Sequence, residues 1–185
     1  VFDQIMIELG HCSTDAYMGA RWPRSAIVVA VVAVGGGLGV AMTCDLRIAA
    51  ADSRFAVPAA KLGLGYKMQG LKILVDHVGP AAAKEIFFTA VQFDAEEALQ
   101  MGLVNRVLPP DELAAYVDEY AATIAGNAPL TVLAAKTVIG QVLKDADDRD
   151  LDLCQQVVDD CFNSEDYQEG RKAFMEKRKP EFKGR

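Results

Sequence analysis

The stretch Ser25–Asp45, SAIVVAVVAVGGGLGVAMTCD, decides how the rest of the chain is read. Between Ala26 and Val34 stand five valines and one isoleucine. Such β-branched residues favour a pleated strand buried on both faces. Gly35, Gly36 and Gly37 then form a tight turn whose backbone can come close to a ligand, because no Cβ intervenes. Leu38 to Cys44 suits a short helix, weakened by Gly39. A strand, a glycine turn and a helix leave N–H groups without intrahelical acceptors at the helix start. They are placed where an anion or a developing oxyanion would sit.

Other readings of the same stretch fit less well. Ala26–Met42 is seventeen uncharged residues, with Arg21 and Arg24 upstream, as in a membrane helix. Three glycines in a row cost a helix about 3 kcal/mol, and the run is short for a span, so no membrane segment is expected. A dinucleotide fingerprint starting from Gly35 and Gly37 needs Gly or Ala at position 40, which is Val, and the frame from Gly37 and Gly39 meets Met42. A purely structural turn remains the plain alternative, since glycine alone does not imply a ligand.

At 185 residues the chain is long enough for one domain or a little more with a real core. It is 51% hydrophobic and 24% charged, a globular composition. The net charge of −7 argues against nonspecific nucleic-acid binding. Cys12, Cys44, Cys154 and Cys161 have no CxxC spacing, so neither zinc nor a disulfide framework is expected, and a reducing, cytoplasmic location fits. Only His11 and His77 are available, too few to suggest a histidine-based triad.

Along the chain, Val1 to Arg24 reads as helix and loop. Asp45–Ala51 reads as a strand and Arg54–Val57 as a second, shorter one ended by Pro58. Lys61–Gly65 is a loop or a single helical turn. Gln69–His77 and Pro80–Thr89 have helical spacing, split by Gly79-Pro80. Asp94 and Glu97 have the spacing of a capping box, with Gly102 closing that helix. Leu103–Leu108 returns to a strand stopped by Pro109-Pro110, and helices follow at about 111–125, 129–144, 148–162 and 165–178. The charged tail EKRKPEFKGR reads as a solvated face.

Four blocks in fixed order then resemble one family. GGGLGVAMTCDLRIAAADSRFAVPAAKLGLG, FDAEEALQMGLVNRVLPPDEL, NAPLTVLAAKTVI and EDYQEGRKAFMEKRKPEFKGR are similar to the central and C-terminal blocks of the crotonase superfamily, the enoyl-CoA hydratase/isomerase family. The resemblance runs from about Ser25 to Arg185. It implies an α/β fold, a spiral of ββα turns, with a crotonase core over 25–110 and a helical C-terminal trimerisation region over 111–185. Residues 1–24 stay unassigned: they do not look like the upstream ββα units of the family, so the chain reads as an N-terminally truncated or divergent member.

The resemblance also implies an acyl-CoA substrate, coenzyme A entering as part of that substrate and no separate cofactor. It implies a homotrimer or a dimer of trimers. Gly36 matches an amide donor to the thioester oxygen, flanked by Gly35 and Gly37; the other donor belongs to the upstream part. Lys177 matches the lysine that meets the nucleotide end of coenzyme A, often from a neighbouring subunit. The two glutamates that handle water and protons in the hydratases are replaced here by Gly39 and Ala59. Hydration by the usual route is therefore not expected, and a catalytically silent acyl-CoA-binding or assembly protein is the alternative. GLGYKMQG, in place of the family's Pro- and Gly-rich run, brings Tyr66 and Gln69 forward as substitute polar groups, with Gly70 near the next helix start.

Overall fold

The computed structural model describes residues 27–34 and 36–185, so the reading of the first 24 residues and of Gly35 lies outside the described residues. The described residues fall into two compact units that divide after Ala121. In the first, the valine-rich run forms β1 (Ile27–Val34), and the helix begins at once as α1 (Gly36–Ala41), two residues earlier than its sequence suggests. The apolar run of Ser25–Asp45 is therefore a strand and a helix in succession. No single helix among the described residues is long and apolar enough to cross a membrane.

The next segment differs from its sequence reading. Asp45–Ala51 and Arg54–Val57 are not two strands but one, β2 (Leu46–Ala56), carrying an irregularity in its middle. Along β1 the register passes from Ala30 opposite Ala49 to Val32 opposite Arg54, so β2 takes up extra residues there. The exposed pair Ala51 and Asp52 falls in that irregularity. Its two halves also have different second partners: Ile48–Ala50 pairs in parallel with β4 (Arg106–Leu108), and Arg54–Phe55 pairs antiparallel with β3 (Phe93–Asp94). Among the described residues, β2 is thus the centre of a four-stranded sheet. The run Arg47–Ala50 is buried without alternation, as a strand covered on both faces should be.

Helices complete this unit. α2 (Ala59–Leu62) is a single turn ended by Gly63 at φ 62°. α3 (Met68–Thr89) breaks at Gly79 (φ 74°, ψ 168°), where the sequence places a stop and Pro80 restarts the helix. α4 (Ala95–Gln100) has the capping box: the Asp94 carboxylate accepts from the Glu97 amide at 2.9 Å, and the Glu97 carboxylate from the Asp94 amide at 2.8 Å. Gly102 at φ 78° lets the Leu103 amide donate back to Ala98 O at 2.8 Å. β4 is only three residues, because Leu103 and Val104 are spent on the core and on that helix end rather than on strand pairing. The core joins Leu38, Phe55, Leu74, Ile86, Phe93 and Leu103, with the Phe55 and Phe93 rings stacked at 5.7 Å.

α5 (Pro110–Ala125) carries the division between the units. The second unit contains α6 (Pro129–Val142), a 3₁₀ turn (Ala146–Asp148), α7 (Leu151–Phe162) and α8 (Glu165–Glu176). Each helix is shorter than its periodicity suggests, and for α7 and α8 the reason is capping. Asp150 caps α7 by accepting from the Leu153 amide at 2.8 Å, so the helix starts at 151 rather than 148. The buried Gln141 Oε1 in turn accepts the Asp150 amide at 3.0 Å. Ser164 caps α8 at the Tyr167 amide, and α8 stops at Glu176 because Lys177 turns left-handed.

One buried charge ties the sheet to the loops. Arg47 is 6% exposed. Its Nε donates to Leu103 O at 2.6 Å and its Nη1 to Cys44 O at 2.7 Å, while its amide meets Asn105 Oδ1 at 2.7 Å. Burial lowers its pKa, opposed by Cys44 and Asp45. Arg47→Met keeps the bulk but leaves two carbonyls without their donors, at about 1–3 kcal/mol for each unsatisfied group. Chemical denaturation should show a loss of about 2–4 kcal/mol; a loss under about 0.5 kcal/mol, the size of an ordinary surface change, would show that the guanidinium is not structural.

Candidate functional site

The residues singled out from the sequence divide between the two units. In the first, Gly36 is the first residue of α1 and Gly37 the second. A helix leaves its first amides without intrahelical acceptors, and Gly36 occupies that place in α1. Leu38 (1% exposed) and Ala41 (4% exposed) bury the inner face of α1. At the other end His77 of α3 lies 2.9 Å from Met42 O through Nε2, fixing the exit of α1. Gly35 lies outside the described residues.

Tyr66, Gln69 and Gly70 stand at the entry of α3. The Tyr66 ring meets Phe87 edge-on at 4.9 Å. A Cβ on Gly70 would lie 3.7 Å from that ring, an ordinary contact, so Gly70 sits beside Tyr66 without its lack of a side chain being required. Gln69 is exposed, and so are Leu62, Leu64 and Met68 around it. Tyr66 is packed and half-exposed; this loop presents its hydroxyl together with Lys67 and the Gln69 amide, both exposed.

The two acid positions have unlike surroundings. Gly39 is exposed, and a Cβ added there meets nothing within 4 Å, so a longer side chain fits. Ala59 is 3% exposed and belongs to the core cluster. A carboxylate at 59 would have to enter the packed interior, at a large desolvation cost. Among the described residues, no group of three or more His, Cys, Asp or Glu side chains is placed to hold a metal ion.

In the second unit Lys177 ends α8 with φ 54° and ψ 38°. For a residue with a Cβ this left-handed conformation costs about 1–2 kcal/mol. The chain that follows is the solvated charged face that its composition suggests, and it is more than that. Its side chains are largely exposed, but its backbone is strapped to α8. The Asp166 carboxylate, 3% exposed, accepts the Lys183 amide at 2.6 Å and the Gly184 amide at 2.7 Å. Phe182 lies over Gly170, 3.5 Å from where a Cβ would be. Glu169 takes Arg178 on both oxygens, at 2.6 and 2.9 Å, and the Glu181 amide at 3.0 Å. The Arg178 fork first, and the Glu181 amide second, hold its carboxyl at about 2, well below the usual 4.5.

Asp166, Glu169 and Arg178 escaped the sequence reading, as did Arg47. Asp166 and Glu169 lie 17 and 9 positions from their partners, with no periodicity to link them. The one available signal was Ser164, a capping residue that fixes which face of α8 each acid takes.

Comparison with known proteins adds the context. A family model described as enoyl-CoA hydratase/isomerase matches residues 23–185. Over 154 residues the chain is 40% identical to a short-chain-enoyl-CoA hydratase of Clostridium acetobutylicum, covering 83% of this chain and 59% of the relative. Over 168 residues it is 34% identical to a methylmalonyl-CoA decarboxylase of Escherichia coli, covering 89% and 64%. The chain thus spans less than two thirds of the length of either relative. It superposes with a TM-score of 0.79 and 35% identity on a crystal structure of an enoyl-CoA hydratase/carnithine racemase from Magnetospirillum magneticum, covering 88% of this chain and 61% of that one. A match of that extent, in sequence and in fold, makes this chain a member of the enoyl-CoA hydratase/isomerase family, with the crotonase-type α/β fold and helical C-terminal region that the family shares.

Proposed function

We propose that the protein binds acyl-CoA thioesters and stabilises an enolate formed from them, with the Gly36 amide donating to the thioester oxygen. The observation that carries this is the place of Gly36 at the first position of α1, directly after the central parallel strand pair. Gly35 and Gly37 let the thioester approach, Tyr66 and Gln69 supply the polar groups beside the acyl part, Gly70 lies beside Tyr66 at the entry of α3, and Lys177, of this chain or of a neighbouring subunit, meets the nucleotide phosphates. The helix start favours negative charge, and an amide aimed at a developing oxyanion is worth about 3 kcal/mol in the transition state.

Binding is tested by heat denaturation. Crotonyl-CoA at a hundredfold excess over its dissociation constant should stabilise the protein by about 2.7 kcal/mol; an unmoved melting curve would sink the reading. Gly36→Pro is a sharp second arm. Proline suits the first helical position and lacks only the N–H, so the fold should survive while the thioester carbonyl stretch of bound crotonyl-CoA returns towards its free value.

The chemistry follows from what positions 39 and 59 lack. Losing a positioned acid or base removes about 10²–10⁴-fold, so hydration of crotonyl-CoA should be slow. An enolate can also arise without a base. When an α-carboxyacyl thioester loses CO₂, the bond from the α-carbon to the carboxylate breaks, and its electron pair enters the enolate. Solvent then returns a proton to the α-carbon. Gly39 and Ala59 favour this second reading, and one relative is named for such a reaction. Release of CO₂ from methylmalonyl-CoA should therefore outpace hydration of crotonyl-CoA. Ordinary hydration rates in the unaltered protein would overturn the argument from the missing acids. Binding of both thioesters with turnover of neither would favour the silent alternative. Gly39→Glu is the variant that asks whether a carboxylate restores hydration, since its site has open space; Ala59→Glu would disturb the core instead.

A homotrimer or a dimer of trimers is part of the same proposal. In the second unit Ile139, Val142, Leu143, Leu151, Phe162, Phe174 and Met175 are all exposed, an apolar set that copies of the chain would cover. Light scattering at micromolar concentration should give a multiple of three; a monodisperse monomer rules the assembly out.

A further inference from the structure

We propose that Glu169 is a positioning residue for Lys177: through Arg178 it holds the backbone that presents this lysine to the phosphate-bearing end of coenzyme A. The inference rests on the reading of Lys177 given above and assigns a role to residues outside that reading.

Lys177 stands where helices ordinarily end in glycine. Its φ of 54° is one that glycine adopts freely and a residue with a Cβ does not. A lysine kept there retains an ammonium group at the expense of a relaxed backbone. The residues on either side of it are tied to each other. Arg178 Nε donates to Glu176 at 2.6 Å, while its two terminal nitrogens fork onto Glu169. The Arg178 amide returns to Ala173 O at 3.0 Å and the Lys177 amide to Phe174 O at 3.3 Å. Glu169 also takes the Glu181 amide, and Asp166 takes those of Lys183 and Gly184. The segment after Lys177 is therefore fixed at three points along α8.

These ion pairs are within reach of solvent, where such pairs add little to stability. What the fork supplies is geometry: two parallel bonds set the plane of Arg178 and with it the course of the chain one residue after Lys177. A lysine so held gives up less freedom on meeting a phosphate than one on a free tail.

The test measures dissociation constants of the full chain for crotonyl-CoA and for crotonyl-pantetheine, which lacks the nucleotide. Lys177→Gly should raise the melting temperature and weaken crotonyl-CoA about tenfold, with crotonyl-pantetheine unchanged. Glu169→Gln should produce about a three- to tenfold loss of the same selective kind. Arg178→Lys, which keeps the charge and loses the fork, should match it, and carries the test if Glu169→Gln loses the folded strap. Combining Glu169→Gln with Lys177→Gly should cost no more than Lys177→Gly alone, since the two act through one contact. If both substitutions at 169 and 178 bind crotonyl-CoA like the unaltered protein while Lys177→Gly is impaired, the positioning role is wrong. Equal weakening of both probes would also overturn it, by showing general support of the fold. If Lys177→Gly leaves both probes untouched, the phosphate reading of Lys177 fails and takes this one with it. If the unaltered protein binds neither probe, the acyl-CoA reading itself fails.

Discussion

Everything in the first unit depends on the pairing of β2. A strand buried over Arg47–Ala50 must find a partner for every amide and carbonyl, since an orphan group there has no water to turn to. β1 supplies one edge along most of the length, and the other edge is shared between β4 and β3. The change of partner coincides with the irregularity opposite Ala30 and Val32. α1 leaves the sheet at the end of β1, so the position of Gly36 follows from how β1 is held against β2. His77 and Leu38 then fix the helix from α3 and from the core.

Charge is used in two different ways. Arg47 is buried and desolvated, donates to two backbone carbonyls and has the Asp45 charge nearby, so it serves to close loops onto the sheet. Arg178 and Glu169 are within reach of solvent, and their pairing sets direction more than it adds stability. Asp166 lies between these cases. Its carboxylate is buried, yet it meets two backbone amides with good geometry, which offsets the removal from water. The strap that it holds is the segment on which a cation, Lys177, keeps an unfavourable backbone angle.

The proposed chemistry has the same economy. An amide at a helix start needs no titratable group to receive negative charge, so it can persist where both usual acids are replaced. Position 39 retains open space, whereas position 59 has been taken into the core. Under the proposed reading, these two changes suit reactions in which the enolate forms by bond cleavage better than those in which a base must remove a proton. The relatives include both kinds, a hydratase and a decarboxylase, so membership of the family leaves the reaction to be decided by the site.

The sequence by itself determined what depends on neighbours a few residues apart. The valine run as a strand, the Asp94–Glu97 capping box, the break at Gly79 and the closing Gly102 were all legible, because each rests on local backbone conformation or on a bond three residues long; Gly36 and Gly37, read as a turn, belong instead to the helix. The ordered blocks sufficed for the family, and they placed Gly36 at a helix start. Only the tertiary structure decided what depends on distant partners. It merged two short strands into β2, because β1 runs past both; it cut Leu103–Leu108 to three paired residues, because the core claimed the first two. It buried Ala59 while leaving Gly39 open, a difference that two small residues cannot reveal in a string of letters. It also turned a charged tail into a strap, since a carboxylate finds amides 17 and 18 positions away only after α8 has formed and the chain has folded back along it.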